Sequence, residues 1–196
     1  MAERANQLRA FATYLRGLGV DANLVEKTRE GTVIESAICL KGQSIGKLYL
    51  EDYDEYGTGS SASRFHFQIA LDKVFPRSSG RTIAAKVKTI KENKFLGLFG
   101  GKVVGIKWVG GDLAVRLNRD MDLSRTLLEC AKYSGSVELQ IQAKSPATVE
   151  ILGPKFVGPL TLLKEREADL KICDELFEFQ IYERIAKQVR NLLGTS

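Results

Sequence analysis

Ser63-Arg64-Phe65-His66-Phe67-Gln68-Ile69-Ala70-Leu71 alternates with a period of two. Successive side chains of a strand point to opposite faces, so Phe65, Phe67, Ile69 and Leu71 share one face and Arg64, His66 and Gln68 the other. One apolar and one polar face marks a strand buried on a single side. Such strands belong to antiparallel sheets and not to the doubly covered parallel sheets of α/β enzymes.

Working outward, further strands are expected at roughly 22–28, 32–40 and 44–50, punctuated by Gly31 and Lys41-Gly42. Two more are expected at 136–142, where Val137, Leu139 and Ile141 alternate with Glu138, Gln140 and Gln142, and at 148–152 beyond the Ser145-Pro146 turn. The acidic run from Glu51 and the small residues up to Ser63 read as a loop. Helices bracket these strands. Leu8, Phe11, Leu15 and Leu18 recur at helical spacing and stop at Gly19. From about Asp174 to Leu193, the residues Leu176, Phe177, Ile181, Ile185, Val189, Leu192 and Leu193 form an apolar stripe, with Lys187 and Arg190 in the last turns. A helix through Lys132 is expected to be capped by Asp122 or Ser124 and to end at Gly135. For 160–173 the pattern allows a short hairpin or an extension of the last helix.

Between these regions, 82–93 fits two periods, and Ile83, Val87 and Ile90 lean it toward helix. The stretch Lys102 to Asn118 holds Gly110-Gly111 between alternating runs, which predicts a β-hairpin. A two-residue loop would pair Trp108 with Leu113, Ile106 with Val115 and Val104 with Leu117 on a core face. Lys107 and Arg116 would then point outward. The expected fold is α+β: an antiparallel, hairpin-rich sheet packed against N- and C-terminal amphipathic helices. It reads as one domain over 1–196, with 1–76 and 81–196 as subdomains on either side of the break Pro76 to Gly80.

The 196 residues, 44% hydrophobic and 27% charged, have the composition of an ordinary globular chain that buries a core without staples. The longest apolar stretch, near Phe95 to Val109, is broken by glycines and lysines, so no membrane span is expected. The first residues lack the apolar run of a signal peptide, and Cys39, Cys130 and Cys173 read as free buried thiols, so the expected location is cytoplasmic.

No catalytic residue, metal or cofactor is assigned. Gly97 to Val103 contains a Gly-Lys pair but has Leu96 and Val103 where a phosphate loop needs Gly and Ser or Thr. Gly57 to Ala62 fits a loose dinucleotide pattern, but a strand follows where a helix must. His66, the single histidine, is expected to be an exposed strand residue beside Arg64 and Gln68. Glu51, Asp52, Asp54 and Glu55 lack calcium-loop spacing, and Asp120 and Asp122 read as helix caps.

Charge is the informative signal. Residues 77–119 hold ten basic side chains against Glu92 and Asp112, while the flanks are nearly neutral and the whole chain carries +5. The pI is about 9.1. The expected function is that of a non-enzymatic binding module with a basic face for nucleic acid or an acidic protein surface. The candidate anion-binding residues are Lys86, Lys88, Lys91, Lys94, Lys102, Lys107, Arg116 and Arg119. Phe95 and Phe99 remain as candidate stacking residues, while Trp108 goes to the core. Two other classes stay open: a carboxylate- or metal-dependent enzyme, and a structural subunit of a homo-oligomer.

Overall fold

The computed structural model describes residues 2–54, 61–71, 83–92, 101–157 and 179–193. Helix α1 (Ala2–Gly17) leads into four strands, β1 (Asp21–Arg29), β2 (Thr32–Lys41), β3 (Lys47–Asp54) and β4 (Ser61–Ala70). There follow β5 (Ala85–Glu92), β6 (Lys102–Gly110), α2 (Asp112–Arg119), α3 (Met121–Ser134), β7 (Gln140–Ser145), β8 (Thr148–Val157) and α4 (Phe179–Leu193). The strands form one sheet in the order β1-β2-β3-β4-β8-β7-β5-β6. Every pairing is antiparallel, so the fold is α+β as its alternating strands foretell.

Residues opposite one another in a ladder share a face. One such row crosses all eight strands: Leu24, Ile38, Leu48, Phe67, Ile151, Ile141, Ala85 and Gly110. This is the face the helices cover. The ring of Phe11 on α1 lies 4.7 Å from that of Phe65, and Tyr182 on α4 stacks at 3.8 Å on Phe67. Leu113 and Leu117 of α2 and Leu123 and Leu127 of α3 join the same core. Each fully buried large side chain contributes roughly 1.5–3 kcal/mol, so this layer supplies most of the fold's stabilisation.

Local chemistry explains most element ends. Arg29 faces Thr32 across Glu30 and Gly31, both at positive φ (51° and 77°), as a tight hairpin turn demands. Of the residues read as caps, Asp120 caps α3, its side chain accepting the Leu123 N–H at 3.1 Å, and Asp122 and Ser124 lie within the helix. Gly135 closes α3 in the left-handed conformation. The expected loop from Glu51 is shorter, because β3 runs on to Asp54, opposite Ser61.

Two expectations are corrected. Residues 85–92 form strand β5, not a helix, with Ala85 and Val87 buried and Lys86 and Lys88 exposed. Pairing to β6 on one side and β7 on the other outweighs the helical spacing of Ile83, Val87 and Ile90. Gly110-Gly111 does not close a hairpin; it joins β6 to α2. Leu113 and Leu117 satisfy a period of two and a spacing of four equally. Val115, 52% exposed, separates the two readings. The pairings Trp108–Leu113, Ile106–Val115 and Val104–Leu117 therefore do not exist, and β6 pairs with β5 instead. The subdomain break at 76–80 and the stretch 160–173 lie outside the described residues.

Candidate anion-binding face

The opposite face of the sheet is polar. A second row runs Tyr49, His66, Leu152, Gln140, Lys86 and Val109, and beside it lie Lys47, Gln68, Glu150 and Gln142. Three of the candidate residues meet here. Lys86 and Lys88 alternate along β5, and Lys88 stands directly opposite Lys107 of β6. All three are exposed. Lys91 and Lys102 lie past a register shift after Ile90, where Lys102 faces Glu92. Arg116 and Arg119 are exposed on α2, which packs on β6 and α4, so they belong to another surface. Lys94, Phe95 and Phe99 fall outside the described residues. Trp108 is 1% exposed, in the core as expected, and Asn118 of α2 bonds both its backbone N–H and its carbonyl at 2.9 Å.

Among the described residues, Lys86, Lys88, Lys91, Lys102, Lys107, Arg116 and Arg119 make no ion pair. Basic side chains elsewhere do: Arg9 with Glu26, Lys47 with Glu35, Lys144 with Glu150 and Arg184 with Asp120. The charge of these seven residues is thus unneutralised among the described residues, while Arg77 and Arg81, like Lys94, lie outside them.

The middle of the same face is neutralised from within. His66 is 3% exposed, against the expectation of an exposed residue. Its ring stacks on Tyr49 at 4.8 Å, and Lys144 lies 4.7 Å above the Tyr49 ring. Glu51 stands 3.0 Å from His66 Nε2, and Glu150 stands 3.4 Å from Nδ1. Glu150 Oε1 accepts from the Tyr49 hydroxyl, from Lys144 Nζ at 3.1 Å and from Gln68 Nε2 at 3.4 Å. Burial opposes ionisation of Glu150. The nearby His66 ring and the hydrogen bonds from Tyr49 and Lys144 outweigh it and hold the carboxyl well below its ordinary range. Burial pushes the Tyr49 hydroxyl up, and the bond to Glu150 adds to the shift. Alternation alone places His66 on the polar face. Its burial arises from long neighbours on β3 and β7, which no local pattern discloses.

Where β5, β7 and β4 approach, Arg64, Lys86, Val87, Glu138, Leu139 and Gln140 line a depression of about 270 Å3. Arg64 there pairs with Glu138 at 3.1 Å. A second depression of about 410 Å3 lies beside α4. Its acid Glu183 accepts from the backbone of Ser44 and Ile45, and its base Arg184 binds Asp120 and Asp122. Burial opposes ionisation of Asp120, but Arg184 and the Leu123 N–H hold its carboxyl below the usual range. Among the described residues no group of three or more His, Cys, Asp or Glu is placed to hold a metal, and no helix is long and apolar enough to cross a membrane. Among the described residues Cys39 and Cys130 form no disulfide, and Cys39 is only half-buried. No protein-family model, curated protein or solved structure matches this chain, and its function is read from its own geometry.

Proposed function

We propose that this protein is a non-enzymatic binding module that presents Lys86, Lys88 and Lys107 to a polyanion, either nucleic acid or an acidic protein surface. One observation carries the reading: Lys88 and Lys107 oppose each other in the ladder, with Lys86 beside them and no acid paired to any of the three among the described residues. Like charges directly opposite destabilise a sheet, and an anion lying across the face removes that repulsion. Lysines on edge strands also discourage sheet-to-sheet association. That role accounts for Lys107 on the edge strand β6, but Lys86 and Lys88 lie on β5, which has neighbours on both sides.

The test is a salt titration of a short fluorescein-labelled single strand, from about 50 to about 200 mM. Three phosphate contacts predict a slope of log affinity on log salt near −2. Reversing two charges, Lys88→Glu with Lys107→Glu, is expected to weaken binding at least about tenfold, or ~1.4 kcal/mol. A measurable affinity that the double variant leaves unchanged removes the face from the reading. Binding to acidic polypeptide but not to the strand selects the protein partner.

A further inference from the structure

Lys86 joins the exposed lysine row to the 270 Å3 depression lined by Arg64, Glu138 and Gln140. We infer that this depression is a subsite for one phosphate oxyanion, held by Arg64, Lys86 and Gln140, and that Glu138 occupies it as an internal competitor. The inference rests on the polyanion reading of the adjoining face and names the chemical group recognised there.

Three features converge. The first is the donor set. A guanidinium offers a planar fork that matches two oxygens of a phosphate, an ammonium adds a point charge, and a carboxamide adds an N–H donor. Gln140 and Lys86 are direct partners in the ladder, so their side chains rise from neighbouring positions on the same face.

The second is the asymmetry of the Arg64–Glu138 pair. The arginine side chain is 14% exposed and the glutamate side chain 66%. The cation is therefore held in place by the sheet, while the anion reaches in from solvent. Glu138 precedes the first paired residue of β7, Gln140, so its own backbone is outside the ladder. Pairs with both partners exposed contribute only about 0–1 kcal/mol; here the glutamate alone is exposed, and an oxyanion that also reaches Lys86 and Gln140 competes with it for Arg64.

The third is size and lining. A water molecule takes about 30 Å3, so the depression accommodates a phosphate with part of its hydration. Arg64, at its edge, is only 14% exposed, and partial burial strengthens its interaction with an anion.

The experiment measures binding of inorganic phosphate, and of one short single strand with and without a 5′-phosphate, to four proteins. These are the wild type, Glu138→Gln, Glu138→Gln with Arg64→Lys, and Lys88→Glu with Lys107→Glu. Glu138→Gln is expected to raise phosphate affinity roughly tenfold, and Arg64→Lys to abolish most of that gain while keeping the charge. The conservative lysine also retains a cation where a neutral residue would risk the fold, and equal thermal midpoints verify that. A gain confined to the 5′-phosphorylated strand assigns the subsite to a terminal phosphate, and an equal gain with both strands assigns it to the backbone diester. Unchanged phosphate and strand affinity in Glu138→Gln overturns the subsite. If the lysine double variant still weakens strand binding, the face reading stands without it. If Glu138→Gln gains phosphate while no strand binds any of the proteins at low salt, the subsite stands and the face reading falls.

Discussion

Glu150 shows how one side chain governs a whole face. Its carboxylate takes up the Lys144 charge and the Tyr49 hydroxyl, so the centre of the polar face is self-satisfied. Net positive charge is left at the β5 and β6 end. Its pKa also gives the protein a pH dependence with a definite sign. The folded carboxyl lies below the ordinary value of 4.5. A depressed acid contributes stability that is present above the unfolded pKa and is lost as pH falls through the folded one. Glu150→Gln is therefore expected to cost roughly 1.5–3 kcal/mol at neutral pH, the range for hydrogen bonds to a charged group. The gap between wild type and variant should narrow as pH drops below about 4.5, the ordinary carboxylate value. Urea unfolding at several pH values reads both effects, and a gap that widens on acidification contradicts the assignment. Of this cluster, only the side of the sheet was legible beforehand. Arg64, His66 and Gln68 reveal their shared face by alternation, but only the folded sheet brings Tyr49 to Glu150 across 101 residues and to Lys144 across 95.

At the scale of elements, legibility depended on whether neighbouring periods could be told apart. In 63–71 four apolar residues at strict alternation have no helical reading, and the strand stands as expected. In 113–117 the two leucines fit both periods, and exposure of the intervening Val115 tells them apart. The glycine pair at 110–111 marks a close backbone approach and not a hairpin turn. Gly110 has φ of 143°, and a Cβ there would lie 2.2 Å from the Ala84 carbonyl oxygen. The position needs glycine because β5 backbone passes beside it, not because a hairpin turns there. Gly110→Ala is expected to destabilise by at least about 2 kcal/mol through strain and backbone displacement. Gly46→Ala, with no atom within 4 Å of the added carbon, serves as the control and should stay within roughly 1 kcal/mol. Denaturant midpoints of the two variants decide it, and equal losses would refute the role given to Gly110. The basic cluster was similarly half legible. Composition exposed the charge excess of 77–119, but only pairing shows that Lys86, Lys88 and Lys107 share a face while Arg116 and Arg119 sit on a helix.

For the whole molecule, the sheet order carries the message. Strands β1 to β4 form a meander, and β8 lies between β4 and β7, so the first strands and the last meet in the middle of one sheet. We predict that residues 1–76 and 81–196, made as separate chains, each lack a cooperative thermal transition and regain one when mixed. A sharp transition from 1–76 alone would show that the N-terminal part carries its own complete core. The position of β8 also bears on synthesis. Ala70 of β4 pairs with Thr148 of β8, which leaves the ribosome roughly 80 residues later. At 5–20 residues per second this delay is about 4–16 s. Throughout it, β4 presents an unmatched row of amides beside Phe65, Phe67 and Ile69. An apolar strand edge left unmatched for that long is open to wrong pairing, and the late central strand makes the order of synthesis part of the folding problem.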